Sequence, residues 1–240
     1  MRTIVMAMLL PLAACGNIAN FGDDDGTVVA PQGSGTTRTF AATGFDRVEL
    51  RGSDNVTVRV GPAFAVRAEG TPAILDRLKI TRDGRTLKVG RENGVYAKGN
   101  VRVFVTLPRI AAASVSGSGD MSVDRVAGSG FDASVAGSGN LALPSLRVDR
   151  VEMSIAGSGD VTAAGEARTL RVNVAGSGNL SARQLVASGA EVNVVGSGDV
   201  TATIRGQAKV TSMGSGDVDL GGAARCSVTK MGSGTVRCGN

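Results

Sequence analysis

The chain has 240 residues, a formal charge of +5 and no histidine. Without histidine, Ser-His-Asp triads, imidazole general bases and imidazole metal ligands are excluded, and a charge this small, scattered without Lys/Arg clusters, leaves no footprint for nucleic acid. Glycine supplies 35 residues, about twice ordinary usage, and an apolar content of 42%, carried mainly by Val, Ala, Leu and Ile, excludes a disordered chain.

The chain opens with Met1-Arg2-Thr3, an apolar run from Ile4 to Leu12 broken only by Pro11, and then Leu12-Ala13-Ala14-Cys15. The run is shorter than the roughly 20 residues that cross a bilayer, so residues 1–14 read as an export signal. Small residues before a cysteine resemble the lipobox of bacterial lipoproteins. That resemblance implies cleavage before Cys15 and acylation of its thiol and amine, a stable membrane anchor. The alternative is an ordinary signal peptide that happens to contain a cysteine. Gly16 stands where inner-membrane retention would show Asp, so by the same resemblance the expected address is the outer membrane, periplasmic or surface-facing.

Residues 15–38 are then the lipidated cysteine and a flexible tether rich in Gly, Asn, Asp, Thr and Pro, with Asp23-Asp24-Asp25 read as a solvated triplet rather than a metal site. Residues 39–110 form an irregular β-rich segment packed on a C-terminal solenoid. Its expected elements are strands at 46–51, 56–60 and 63–68, a short helix from Thr71-Pro72 to about Leu78, a hairpin of 79–82 and 86–90 around Asp83-Gly84, and a strand at 101–107 ended by Pro108.

From residue 111 to 240 the tripeptide Gly-Ser-Gly recurs, beginning at Gly117, Gly137, Gly157, Gly176, Gly196, Gly214 and Gly232, in steps of 20, 20, 19, 20, 18 and 18 residues. Such a period predicts stacked equivalent turns. Aligned on the tripeptide, apolar residues alternate with polar ones on both sides: Val115, Val135, Ile155, Val174 and Val194 before it, and Met121, Leu141, Val161, Leu180, Val200, Val218 and Val236 after it. Val126, Leu146, Leu185 and Ile204 are expected to face inward on a third side. Period-2 alternation around one fixed corner predicts an all-β fold, a single-stranded β-helix solenoid of about seven rungs. Between the apolar columns runs an outward Ser/Asn/Thr column (Ser114, Ser134, Ser154, Asn173, Asn193, Thr211 and Thr229) able to hydrogen-bond along the stack. Ser212 and Lys230 stand where earlier rungs carry Val, which predicts a bulge or twist in the last two rungs.

After each corner come Asp120, Asn140, Asp160, Asn179, Asp199 and Asp217, with Asn relieving the repulsion of stacked carboxylates. They read as a structural corner ladder bonding backbone amides, a cation-binding row being the alternative. Cys226 and Cys238 fall in inward columns of the last rung, so in an exported chain they are expected to form a disulfide closing the end of the core, the alternative being two buried thiols.

The opening Gly44-Phe45-Asp46-Arg47-Val48-Glu49-Leu50, the strand from Val103 to Pro108 and the series of Gly-Ser-Gly-Asp/Asn rungs together resemble the putative auto-transporter adhesin family with the head GIN domain, over roughly residues 40–238. The resemblance implies a right-handed, pectin-lyase-like β-helix and a cell-surface or adhesive role, with no catalytic residue to carry over. The off-period Gly128-Ser129-Gly130 departs from the simple repeat. The function expected is that of a non-enzymatic, envelope-anchored lipoprotein whose partners are the membrane through its lipid and a glycan or another envelope component, with no cofactor, no metal and no nucleic acid. Two alternatives stand beside it. A lyase-like polysaccharide enzyme would need clustered carboxylates beside a base such as Arg147, Arg171, Arg183 or Arg205, which fall at differing repeat positions. A purely structural envelope component is the other.

Overall fold

Wherever a valine-led strand meets Gly-Ser-Gly, the chain turns a corner that only glycine can make. At Gly157 φ is +120°, and a Cβ there would fall onto the Gly137 carbonyl oxygen of the turn below. Strands therefore stack in register through their corners. The computed structural model describes residues 26–92 and 99–239. Cys15, the export signal and the acidic triplet lie outside them.

The chain runs through β1 (Thr27–Val28), β2 (Pro31–Gln32), β3 (Thr37–Phe40), β4 (Arg47–Gly52), β5 (Asn55–Val60), β6 (Ala65–Glu69), the short helix α1 (Pro72–Leu75), β7 (Leu78–Asp83), β8 (Thr86–Arg91) and β9 (Arg102–Leu107). It continues through β10 (Ala112–Gly117), β11 (Met121–Val123), β12 (Val126–Gly137), β13 (Leu141–Gly157), β14 (Val161–Gly176), β15 (Leu180–Gly196), β16 (Val200–Ile204), β17 (Gln207–Gly214), β18 (Val218–Asp219), β19 (Arg225–Met231) and β20 (Val236–Arg237). From β10 onward the pairing is parallel and follows the repeat: Ala133 pairs with Met153, Met153 with Val172, Val172 with Val192 and Val192 with Val210. The result is a β-solenoid of about six turns.

The inward columns are buried. Met153, Ile155, Val172, Val192, Val200 and Leu220 are at most 1% exposed, and they belong to one continuous core. On the third side Val126, Leu146, Leu185 and Ile204 are buried but occupy two columns. Val126 stacks on Leu146, with Gly165 and then Leu185 beyond, whereas Ile204 stacks on Ala187. The unequal repeat lengths are absorbed at the corner between second and third sides, where register shifts fall between Leu143 and Leu146, Thr162 and Ala164, and Ala182 and Val186. Gly128-Ser129-Gly130 lies within β12, Gly128 pairing with Val148 and Gly130 with Arg150, and is not a corner of the repeat.

Four expectations are corrected. There is no seam at residue 111: β4 lies in register on β10, Leu50 against Val115 and Gly52 against Gly117, and β5 lies on β11. The N-terminal segment thus supplies the first turn itself. Residues 27–38 are not tether. β1 pairs antiparallel with β7, which pairs antiparallel with β8, while β2, β3, β6 and β9 form an antiparallel series on the second side. The segment between β1 and β2 crosses from one sheet edge to the other, with the Val29 amide donating to Ile80 O at 2.9 Å, so these strands cover edges that a bare solenoid would leave open. The helix is a single turn, Pro72–Leu75, burying Ile74 and Leu75, and the chain is extended again by Leu78. Finally, the last turns carry no bulge, because β17 and β19 pair from Gln207–Arg225 to Met213–Met231 without a shift. Ser212 and Lys230 keep the valine register, and the cost appears as chemistry instead: Ser212 is 1% exposed and its hydroxyl has no partner among the described residues.

Candidate functional site

The corner residues form a continuous hydrogen-bonded row. Asn55 Oδ1 accepts the Asp120 amide (3.3 Å), Asp120 Oδ1 accepts the Asn140 amide and its Nδ2 (3.2 and 2.8 Å), and Asn140 Oδ1 accepts the Asp160 amide (3.2 Å). The row continues from Asp160 to Asn179 (2.8 Å), Asn179 to Asp199 (2.9 Å), Asp199 to Asp217 (2.8 Å) and Asp217 to Thr235 (2.7 Å). Each side-chain oxygen thus satisfies the amide of the next corner, an Asx arrangement repeated in space rather than along the chain. The Thr235 amide and hydroxyl together hold the Asp217 carboxyl below the usual carboxylate range. Among the described residues no group of three or more His, Cys, Asp or Glu side chains is placed to hold a metal ion. Asn55 was missed in the sequence because its corner reads Gly52-Ser53-Asp54. The signal was there, in Gly-Ser followed by Asp-Asn.

Beside this row runs a furrow along the second side. Its N-terminal part is lined by Asn55, Thr57, Asp120, Asn140 and Asp160. The next stretch, about 690 Å³, is lined by Thr162, Ala164, Ser181, Arg183, Gln184 and Thr201 among others. The two share Ser122, Ala142 and Thr162, so the furrow is one channel, with the hydroxyls of Thr162, Ser181 and Thr201 on adjacent strands about 4.8 Å apart and Ala142 interrupting the series after Ser122. Arg183 closes one wall and reaches Asp219 at 3.1 Å. The Gly221 amide, ahead of Arg183, keeps the Asp219 carboxyl below its usual range.

The first side carries charge instead. Register brings Asp132, Glu152, Arg171, Glu191 and Lys209 into one column, with Arg171 and Glu191 paired at 2.9 Å and Arg150 beside them in a notch of about 520 Å³. Arg147 lies on the third side against Glu166, so the four arginines named from sequence are not brought together. The outward Ser/Asn/Thr column bonds along the stack at Ser134–Ser114 (2.9 Å) and Asn193–Asn173 (3.1 Å). Cys226 and Cys238 are disulfide-bonded with their Cα atoms 6.2 Å apart, packed against the C-terminal end of the core.

A family model described as "Putative auto-transporter adhesin, head GIN domain" matches residues 44–224. Among solved structures, an adhesin from Bacteroides fragilis described as putative is 21% identical with a TM-score of 0.79, covering 84% of this chain and 95% of that one. A putative lipid binding protein from Parabacteroides distasonis is 22% identical with a TM-score of 0.66, covering 87% and 96%. A putative adhesin from Parabacteroides merdae is 16% identical with a TM-score of 0.61, covering 89% and 97%. At these identities the likeness is one of fold. No curated protein matches the chain.

Proposed function

The chain belongs to the putative auto-transporter adhesin family with the head GIN domain, and from that premise we propose a non-enzymatic, envelope-anchored lipoprotein that holds a glycan or another envelope component against its second side. The observation that carries this reading is the furrow: a continuous channel along the second side in which Thr57, Ser122, Thr162, Ser181 and Thr201 present small hydroxyls, with Ala142 between them, beside the corner row and walled by Arg183. A surface of that kind offers many equivalent weak contacts to an extended polar chain, a means of retention rather than of bond cleavage. The Cys226–Cys238 disulfide agrees with folding in an oxidising compartment, and acylation of Cys15 would supply the anchor.

The full chain tests the reading in two ways. A glycan and envelope-component array should return ligands whose binding falls when Thr162 and Ser181 are replaced by bulky residues. Labelling with a fatty-acid analogue should mark the wild type and not Cys15→Ala. The lyase alternative draws on the charged column of Asp132, Glu152, Arg171 and Glu191, and incubation with acidic polysaccharides decides it: unsaturated-product absorbance lost in Glu152→Gln would replace the binding reading.

A further inference from the structure

Arginines line one corner of the solenoid from the point at which the chain enters it. Thr27 pairs with Arg82, and Gly26 lies against the Arg82 carbonyl and Asp83 at the tip of the β7–β8 hairpin. Arg85 follows in that turn. The Arg85 guanidinium grips Asp46 through both carboxylate oxygens, and Arg109 Nη2 reaches the same carboxylate at 3.1 Å. Asp46 is 7% exposed, whereas the Arg85 and Arg109 side chains are 58% and 72% exposed. One buried anion therefore sits under two guanidiniums, and their surplus positive charge faces outward. Arg47, next in the chain and exposed, lies on β4 beside Thr86 of β8. Asp83, at the tip of the same hairpin, is engaged by Lys88 at 2.8 Å.

We infer that this N-terminal corner, built from Arg82, Arg85, Arg47 and Arg109 on or beside successive strands, is a docking surface for an anionic lipid bilayer and holds the first turns of the solenoid against the membrane. The inference rests on the reading of Cys15 as the anchor. Eleven Cα steps separate Cys15 from Gly26, a contour of at most about 40 Å, so an acyl chain at Cys15 holds this end of the stack within that distance of the headgroups. Arginine forks match phosphate oxygens, and they are felt only within about a Debye length of 8–10 Å, so the corner contributes only where the tether delivers it.

The test uses the full-length protein with two separate readouts. Mass spectrometry of the N-terminal peptide reports acylation at Cys15, and an unmodified cysteine overturns the anchor reading by itself. Hydrogen exchange is followed in vesicles of phosphatidylcholine with and without phosphatidylglycerol, loaded with the acylated chain or mixed with an unacylated one. Docking slows exchange around residues 82–86 and 109–111 in the anionic vesicles only, and added salt reverses it. For the unacylated chain, each arginine removed in Arg47→Gln and Arg109→Gln lowers partitioning about fivefold, while Arg225→Gln with Arg237→Gln at the far end leaves it unchanged. Equal exchange in the two vesicle types, or an equal loss from the far-end pair, overturns the corner as the docking surface.

Discussion

Gly159 stacks directly on Gly139, so closely that a Cβ on Gly159 would lie on the Gly139 carbonyl oxygen and 2.7 Å from Val135 Cγ1. The obstruction is backbone on one side and a buried valine on the other, so nothing can swing away. Gly159→Ala is expected to destabilise the fold by at least about 3 kcal/mol, the scale of overpacking that cannot relax. Gly128 serves as control, because its φ of +143° strains alanine but no atom lies within 4 Å of the added carbon. Gly128→Ala should cost about 1–2 kcal/mol. Denaturant midpoints of the two variants, compared at equal slope, separate steric exclusion from backbone strain.

Legibility in the sequence followed the same physics. A parallel in-register stack places the same chemical demand on every turn, so Val115, Val135 and Ile155 announce a column by their spacing alone. The corner at Gly52 escaped because Asp54 replaces the second glycine. The Asp54 side chain is instead turned to Arg91, at the end of β8, and to the Val101 amide, contacts that no later turn offers at its second glycine. The edge strands at Thr27–Val28 and Pro31–Gln32 were invisible for another reason. Two residues cannot display a period, and their polar composition matches a linker until β7 and β3 are seen beside them. The furrow was half legible: its corner residues were aligned from sequence, but that Thr162, Ser181 and Thr201 share a concave wall depends on sheet curvature, which no spacing encodes.

Asp54 itself makes the second prediction. Fully buried, it accepts Arg91 Nε at 2.8 Å, a second close bond from Arg91 Nη2 and the Val101 amide at 2.8 Å. The hydrogen bond to this carboxylate holds the Arg91 charge more firmly than usual. Arg91→Ala leaves a carboxylate stranded in the core and is expected to cost about 3–5 kcal/mol. Adding Asp54→Asn in the same chain should recover part of that loss, since the neutral amide can remain without a cation. A double-mutant cycle by thermal unfolding measures the coupling, and a second substitution that recovers nothing would show that the pair is not the source of the effect.

The Cys226–Cys238 bridge spans 12 residues, and a loop of that size is worth about 3 kcal/mol in the chain-entropy account. β19 is exposed along most of its length, with Val228 46% and Met231 67% exposed, so little else restrains it. Reduction, or Cys226→Ser with Cys238→Ser, should speed amide exchange in 225–237 while the pairs around Met153 and Val172 stay protected. Unchanged exchange in the last turn would mean that stacking on β17 alone holds it.

Acid should loosen the same end first. Asp217 and Asp219 both have carboxyls held below the usual range by amide donors, Thr235 for the one and Gly221 for the other. A lowered folded-state pKa gives stability that is present above the unfolded value of about 3.9 and lost as pH falls through the folded value. Glu49 is opposite in sign: burial, ahead of the opposing Lys88 charge, raises its pKa, so its contribution strengthens as pH falls through the folded value. Exchange measured from neutrality down to about pH 3 should therefore show β18 and β20 losing protection while β4 keeps its own.

Ser212 supplies the last prediction. It stands in the column of Val194 with Lys230 beyond it, 1% exposed and without a hydrogen-bond partner for its hydroxyl among the described residues. Lys230 donates from Nζ to Gly234 O at 2.6 Å, so its charge turns toward the corner and does not serve the serine. Ser212→Ala removes the stranded hydroxyl without adding volume, and relief of an unsatisfied buried group is worth about 1 kcal/mol or more. The variant should unfold at a higher temperature than the parent. A lower midpoint would mean that the hydroxyl has a partner, an ordered water being the natural one, and solvent-isotope exchange at that site would then identify it.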